Sequence, residues 1–237
     1  MELDQRRAGL AVNLAKARAR IAAACEAAGR HRREVTLIAV TKTFPASDAI
    51  VLTELGVRDI GENRDQEAAP KVAELAKVGA DVRWHFVGRL QRNKCGSVAS
   101  YADLVHSVDR TPVVDALARA AVDRLEPLDV LIQVSLDGDP RRGGVPVQGV
   151  GELADHIAGQ EMLRLCGVMA VTPLDSEPDV EYDRLWRLAL RLRETHPGAT
   201  VVSAGMSGDL EAAIRHGATH VRVGSALLGS RPGAPVA

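Results

Sequence analysis

Aromatic residues are scarce in this 237-residue chain, where two Trp, two Tyr and two Phe make up 3% of the total. A core is still available, because hydrophobic residues reach 46%. It must rest on Val, Leu, Ile and Ala, and the length suits one large domain or two small ones. An excess of either charge is also missing, with 30 basic residues against 31 acidic ones. That balance supplies no long-range field toward nucleic acid or an anionic membrane, so any anion site must be local. Cysteine is represented only by Cys25, Cys95 and Cys166. Odd in number, widely spaced and without a CxxC pair, these three form neither a disulfide framework nor a zinc site. Free thiols in a reducing compartment are expected. Nothing reaches membrane-spanning length, and the first 29 residues carry scattered charge rather than the apolar run of a signal peptide. The expectation is a soluble, cytoplasmic protein without a metal.

What is present is an alternation. After a long amphipathic helix over about residues 3–29, stopped by Gly29, comes VTLIAVT (35–41), continuously apolar as a strand buried on both faces must be. SDAIVLTELG follows as a helix with Ser47 as its N-cap. Further strands are read at VRDIG, VRWHFVG (82–88), ADLVHSV (102–108), LDVLIQVSL (128–136), LRLCGVMAV (163–171), TVVSAG and THVRVG. Seven of these eight strands lead into a helix before the next strand. No Pro/Ser-rich linker divides the chain, and no GxGxxG fingerprint follows the first strand, as a doubly wound dinucleotide-binding sheet would often show. The pattern predicts one domain over residues 1–237, a (β/α)8 TIM barrel preceded by an extra N-terminal helix.

In such a barrel the reactive groups project from the C-terminal ends of the strands. Lys42 ends the first strand, where partial desolvation frees an amine to attack an aldehyde or ketone. A lysine snorkelling to solvent occupies the same position equally well. SAGMSGD and VRVGSALLG place small residues after the last two strands, where backbone N–H groups can approach an anion. With the amine and this cradle facing each other across the mouth, a ligand carrying both an aldehyde and a phosphate fits. Pyridoxal 5′-phosphate (PLP) is one such molecule, and a sugar phosphate is another.

The blocks AVTKT, GENRDQE, WHFVGRLQRNK, HSVD, LIQVS, GVMAVTP, SAGMSGDLEAAI and VRVGSALLG, in this order from Val35 to Gly229, resemble those of the pyridoxal phosphate homeostasis family. Its members are single-barrel relatives of alanine racemase, of PLP fold type III. The resemblance implies that Lys42 holds PLP as a Schiff base and that Ser207, Gly224 and Ser225 bind its phosphate. It also implies that Arg222 faces the pyridine nitrogen, that Asn63 neighbours the ring and that Met206 lines the pocket. A cation at the ring nitrogen disfavours its protonation and makes the ring a weaker electron sink. Ser135, Arg89, Ala204 and the run Arg141–Gly144 depart from the pattern usual in the family and bear on the shape of the mouth.

Alanine racemases of this fold carry a second, β-rich domain and a catalytic tyrosine across a dimer interface. Here the sequence ends eight residues after Gly229, Tyr101 and Tyr182 fall away from the expected mouth, and His85 and His106 read as structural. A racemase needs an acid or base on each face of Cα, and only Lys42 is so placed. The expectation is therefore a monomeric PLP-binding protein of vitamin B6 homeostasis with little or no turnover and no established catalytic residue. PLP-dependent apoenzymes would be its partners. A low-activity PLP-dependent amino-acid racemase is the alternative. A Schiff-base aldolase would need a carboxylate or second lysine beside Lys42, and none is evident in the sequence.

Overall fold

Runs of β-branched and aliphatic residues become the strands of a closed parallel barrel. The computed structural model describes residues 2–139, 142–173 and 176–229, so Arg141 and the segment after Gly229 lie outside it. The barrel strands are β1 (Thr36–Val40), β2 (Asp59–Glu62), β3 (Arg83–Phe86), β4 (Leu104–Val108), β5 (Leu128–Ser135), β7 (Leu163–Met169), β8 (Val201–Ser203) and β9 (His220–Val223). Each pairs in parallel with its neighbours, and the β4–β5 and β1–β9 pairings close the ring. That closure decides against an open sheet, which would leave two edges. A two-residue strand, β6 (Val145–Pro146), adds to β5 beside the barrel and has no counterpart in the sequence reading.

Helices α2 (Ala46–Glu54), α3 (Asp65–Lys77), α4 (Cys95–Tyr101), α5 (Thr111–Ala120), α6 (Val150–Ala158), α7 (Pro178–Thr195), α8 (Leu210–Arg215) and α9 (Ser225–Leu228) follow the strands in turn. Helix α2 starts one residue before Ser47, with Pro45 as its N-cap and no capping side chain. The apolar core lies mainly between strands and helices, with Val105, Val130 and Val168 buried against Val113, Leu117, Leu153 and Leu185. Inside the barrel the filling is partly polar, and His85, His106, Ser203 and Arg222 are all at most 5% exposed.

The long N-terminal helix α1 (Glu2–Ala27) lies outside the ring. Leu10, Leu14, Ala17 and Ile21 bury against the layer that includes Leu210, Ile214 and Leu227. Its polar residues reach the same two short helices, since Asn13 donates to the Leu227 carbonyl at 3.0 Å and Arg20 pairs with Glu211.

The pairing β1–β9 corrects one expectation. Ile38 sits beside Arg222 and Ala39 beside Val223, so Lys42 and the last glycine-serine loop rise from adjacent strands. They do not face each other across the mouth. Ring closure makes the first and last strands neighbours, a relation that linear order hides.

Candidate functional site

A cavity of about 540 Å3 opens at the C-terminal ends of these strands, within the range of small-ligand sites. Lys42, Asn63, Met206, Ser207, Arg222, Gly224 and Ser225 all border it. Val40, Phe44, Val87 and Val171 supply apolar wall. Ser135, Arg89 and Ala204, the departures from the family pattern, are not among its lining residues. Ser135 instead approaches Asp137 at 3.3 Å, and the Ala204 amide donates to the His220 carbonyl.

Lys42 stands two residues beyond β1, and the chain around it is held tightly. Thr43 adopts a left-handed backbone at φ 69°, a conformation that costs a β-branched residue roughly 1–2 kcal/mol. Its amide donates to Glu67 Oε2 at 2.8 Å. On the other side of Lys42, Thr41 Oγ1 donates to Glu62 Oε1 at 2.5 Å, and Lys71 Nζ bridges Glu62 Oε1 at 2.6 Å and the Thr41 carbonyl at 2.7 Å. Glu62 and Lys71 are both buried. Burial pushes the Glu62 carboxyl above its ordinary value, opposed by its bonds to Lys71 and Thr41. A carboxylate and a second lysine therefore do sit beside Lys42, contrary to the sequence reading, although neither lines the cavity.

Asn63 is brought in by close backbone approach. A Cβ on Gly88 would lie 1.9 Å from the Asn63 carbonyl oxygen, so only glycine after β3 lets the loop after β2 pass.

The Met206–Gly208 turn is organised by Asp209. Its Oδ1 accepts the Met206 amide at 2.6 Å, and its Oδ2 accepts Tyr182 Oη at 2.6 Å and Thr172 Oγ1 at 2.9 Å. Three donors occupy this carboxylate and leave Ser207 to border the cavity. Helix α8 starts only at Leu210, and Asp209 makes no side-chain bond into it. Gly205, at φ 88°, turns the chain with its Cα against Leu210 and Ala213, where a Cβ would be 2.6 Å from the Ala213 methyl. From outside, Arg20 Nη1 of α1 donates to the Ser207 carbonyl at 3.0 Å. Ser207 Oγ in turn accepts the Ala226 amide at 3.3 Å, which ties the two glycine-serine loops together.

Arg222 is buried and donates to Ser203 Oγ at 2.7 Å and the Ala170 carbonyl at 2.9 Å. Burial lowers its guanidinium below the ordinary arginine value, with Tyr182 and Asp209 pulling the other way. An amine, a guanidinium, two serine hydroxyls and apolar walls around one cavity suit a flat aromatic aldehyde bearing an anionic arm. The long-range supports Glu62, Lys71, Arg20, Tyr182 and Asp209 were missed in sequence. Only GENRDQE and SGD, as motifs, pointed toward any of them.

A sequence profile of the alanine racemase N-terminal domain matches residues 12–232. A pyridoxal phosphate homeostasis protein from Mycobacterium tuberculosis is 49% identical over 236 residues, covering 92% of this chain and 91% of its own. The solved structure of PipY from Synechococcus elongatus PCC7942 with PLP bound superposes with a TM-score of 0.82 at 30% identity, over 93% of this chain and all of that one. Alanine racemase from Corynebacterium glutamicum, at 17% identity and TM-score 0.69, shares the fold over 98% of this chain and 63% of its own.

Proposed function

The chain belongs to the pyridoxal phosphate homeostasis proteins, built on the alanine racemase N-terminal barrel, and on that premise we propose that it binds PLP in the cavity after β1, β8 and β9 and takes part in vitamin B6 homeostasis. Lys42 holds the cofactor as a Schiff base. Ser207, Gly224 and Ser225 bind the phosphate, Arg222 meets the ring nitrogen, and Asn63 and Met206 flank the ring. The convergence of all seven residues on one cavity carries this reading. Bound there, PLP supplies an electrophilic carbonyl and an electron-accepting ring, which an unprotonated ring nitrogen weakens.

Within that site the protein's own groups bind and orient more than they transfer protons. Among the described residues, Lys42 and Arg222 are the ionisable side chains on the cavity wall. Tyr182 is committed to Asp209, while His85 and His106 lie within the barrel. A racemase requires opposed proton donors, and Arg222, still a cation, is a poor one. The reading is therefore a protein that holds and hands on cofactor, with PLP-dependent apoenzymes as recipients and little or no turnover.

Absorbance tests it. Purified protein mixed with PLP should gain a yellow band that borohydride bleaches, and Lys42→Ala should not. A colourless wild-type protein overturns the reading, whereas D-amino acid formed from an L-amino acid would favour the racemase.

A further inference from the structure

Arg222 is the last member of a buried polar chain that crosses the barrel. Its Nη1 donates to Ser203 Oγ at 2.7 Å. Ser203 Oγ lies 2.9 Å from His106 Nδ1, His106 Nε2 lies 2.9 Å from His85 Nδ1, and His85 Nε2 lies 3.0 Å from Asp59 Oδ1. Four strands contribute the interior members, with Ser203, His106 and His85 all at most 1% exposed. Asp59 is the first residue of β2, so the chain runs from the cavity to the opposite rim.

The chemistry of the two ends fixes the hydrogens between them. A guanidinium can only donate and an ionised carboxylate can only accept. Ser203 Oγ accepts from Arg222, and its own hydrogen is then free for His106 Nδ1. His106 must carry its hydrogen on Nε2, which faces His85 Nδ1, and His85 must carry its hydrogen on Nε2, which faces Asp59. Every buried donor and acceptor in the row is then paired, as buried polar groups require. The two other arrangements that pair all four ring nitrogens make either His85 or His106 a cation, and both strand the Ser203 hydrogen in the interior.

We propose that Asp59, His85, His106 and Ser203 form a one-way hydrogen-bond relay that locks the Arg222 guanidinium toward the cavity, with both imidazoles held as neutral Nε2–H tautomers. Ser203, His106 and His85 are positioning residues in this account and do not touch the ligand. That the guanidinium meets a ring nitrogen rests on the PLP reading above, but the relay itself is a property of the protein alone.

The surroundings agree. The titratable groups that act on His106 are His85 of β3 with His220 and Arg222 of β9; Asp59 of β2 and Arg83 of β3 act in turn on His220, and Tyr182 of α7 and Asp209 on Arg222. The His220 ring is 6.2 Å from that of His85. Burial first, then His85, Arg222 and His220, hold the His106 imidazole well below its ordinary value, which favours a neutral ring.

Nitrogen-15 NMR of the full chain without added cofactor tests the tautomers directly. At neutral pH His85 and His106 should both give the neutral Nε2–H pattern, and His106 should remain unchanged over roughly pH 5–8, where an ordinary histidine titrates. An Nδ1–H tautomer or a cationic ring at either position overturns the relay. Ser203→Ala tests the lock. The side-chain Nε signal of Arg222 should shift and broaden, PLP should bind about tenfold more weakly, and Ser203→Thr should restore both. An Arg222 signal indifferent to Ser203→Ala overturns the lock whether or not PLP binds. A protein with the relay intact that takes up no PLP contradicts the proposed ligand and leaves the relay standing.

Discussion

Lys71 Nζ lies 2.6 Å from Glu62 Oε1, buried on both sides and one residue's carbonyl away from Lys42. Removing one partner of such a pair strands the other charge in the interior, at a cost of about 3–5 kcal/mol. Lys71→Met should therefore lower stability by that order in urea unfolding. Combining it with Glu62→Gln should recover most of the loss, because no charge is then buried alone. Equal losses for the single and double variants would argue against a compensated pair.

Thr43 bears the strain of the turn after Lys42. Replacing it with glycine removes a left-handed penalty of roughly 1–2 kcal/mol and adds unfolded-chain entropy worth roughly 0.5–1 kcal/mol. Thr43→Gly is expected to be at least as stable as the parent by thermal unfolding. PLP should nonetheless dissociate faster, because the backbone beside the amine is looser. A strongly destabilised variant would mean that the Glu67 contact depends on more than backbone conformation.

Arg20 connects α1 to the turn that carries Ser207. Its pairing with Glu211 is part-exposed and worth little, about 1 kcal/mol at most. Arg20→Ala should leave the melting temperature nearly unchanged while weakening PLP binding several-fold in a fluorescence titration. Unchanged affinity would show that the cradle holds its shape without α1.

The pH dependence of folding has a defined sign. Burial, with the neighbouring His85, lowers the His220 imidazole from 6.5 to about 4. Between those values the unfolded chain binds the proton and the folded one does not. The stability is fully present above 6.5 and is lost as pH falls toward 4, by about 3 kcal/mol at 1.36 kcal/mol per unit. His220→Gln should flatten urea midpoints across that window. An unchanged slope would place the acid sensitivity elsewhere.

Much of this was legible in the sequence because it is local. Short apolar segments alternating with helical ones placed all eight barrel strands, and strand-end residues such as Lys42, Ser207 and Arg222 converge where strand ends must. What stayed hidden depends on distant contacts. Glu62 and Lys71 are compensated only because α3 folds over the end of β1, and charge patterning along the chain carries no trace of that. Tyr182 falls within a helix, away from the mouth by linear order, yet its hydroxyl reaches Asp209 across 27 residues of sequence. His85 and His106 read as isolated structural histidines, since only ring closure sets them beside Ser203. The two-residue β6 is too short for any periodicity to reveal.

The central claim is that Lys42 is the residue that holds PLP. Borohydride reduction of the PLP-loaded protein, followed by proteolysis and mass spectrometry, reads this directly. The account predicts a pyridoxyl-phosphate adduct on the peptide containing Lys42 and none on those containing Lys16, Lys71, Lys77 or Lys94. A stoichiometric adduct on any other lysine, or no adduct at all, would contradict it.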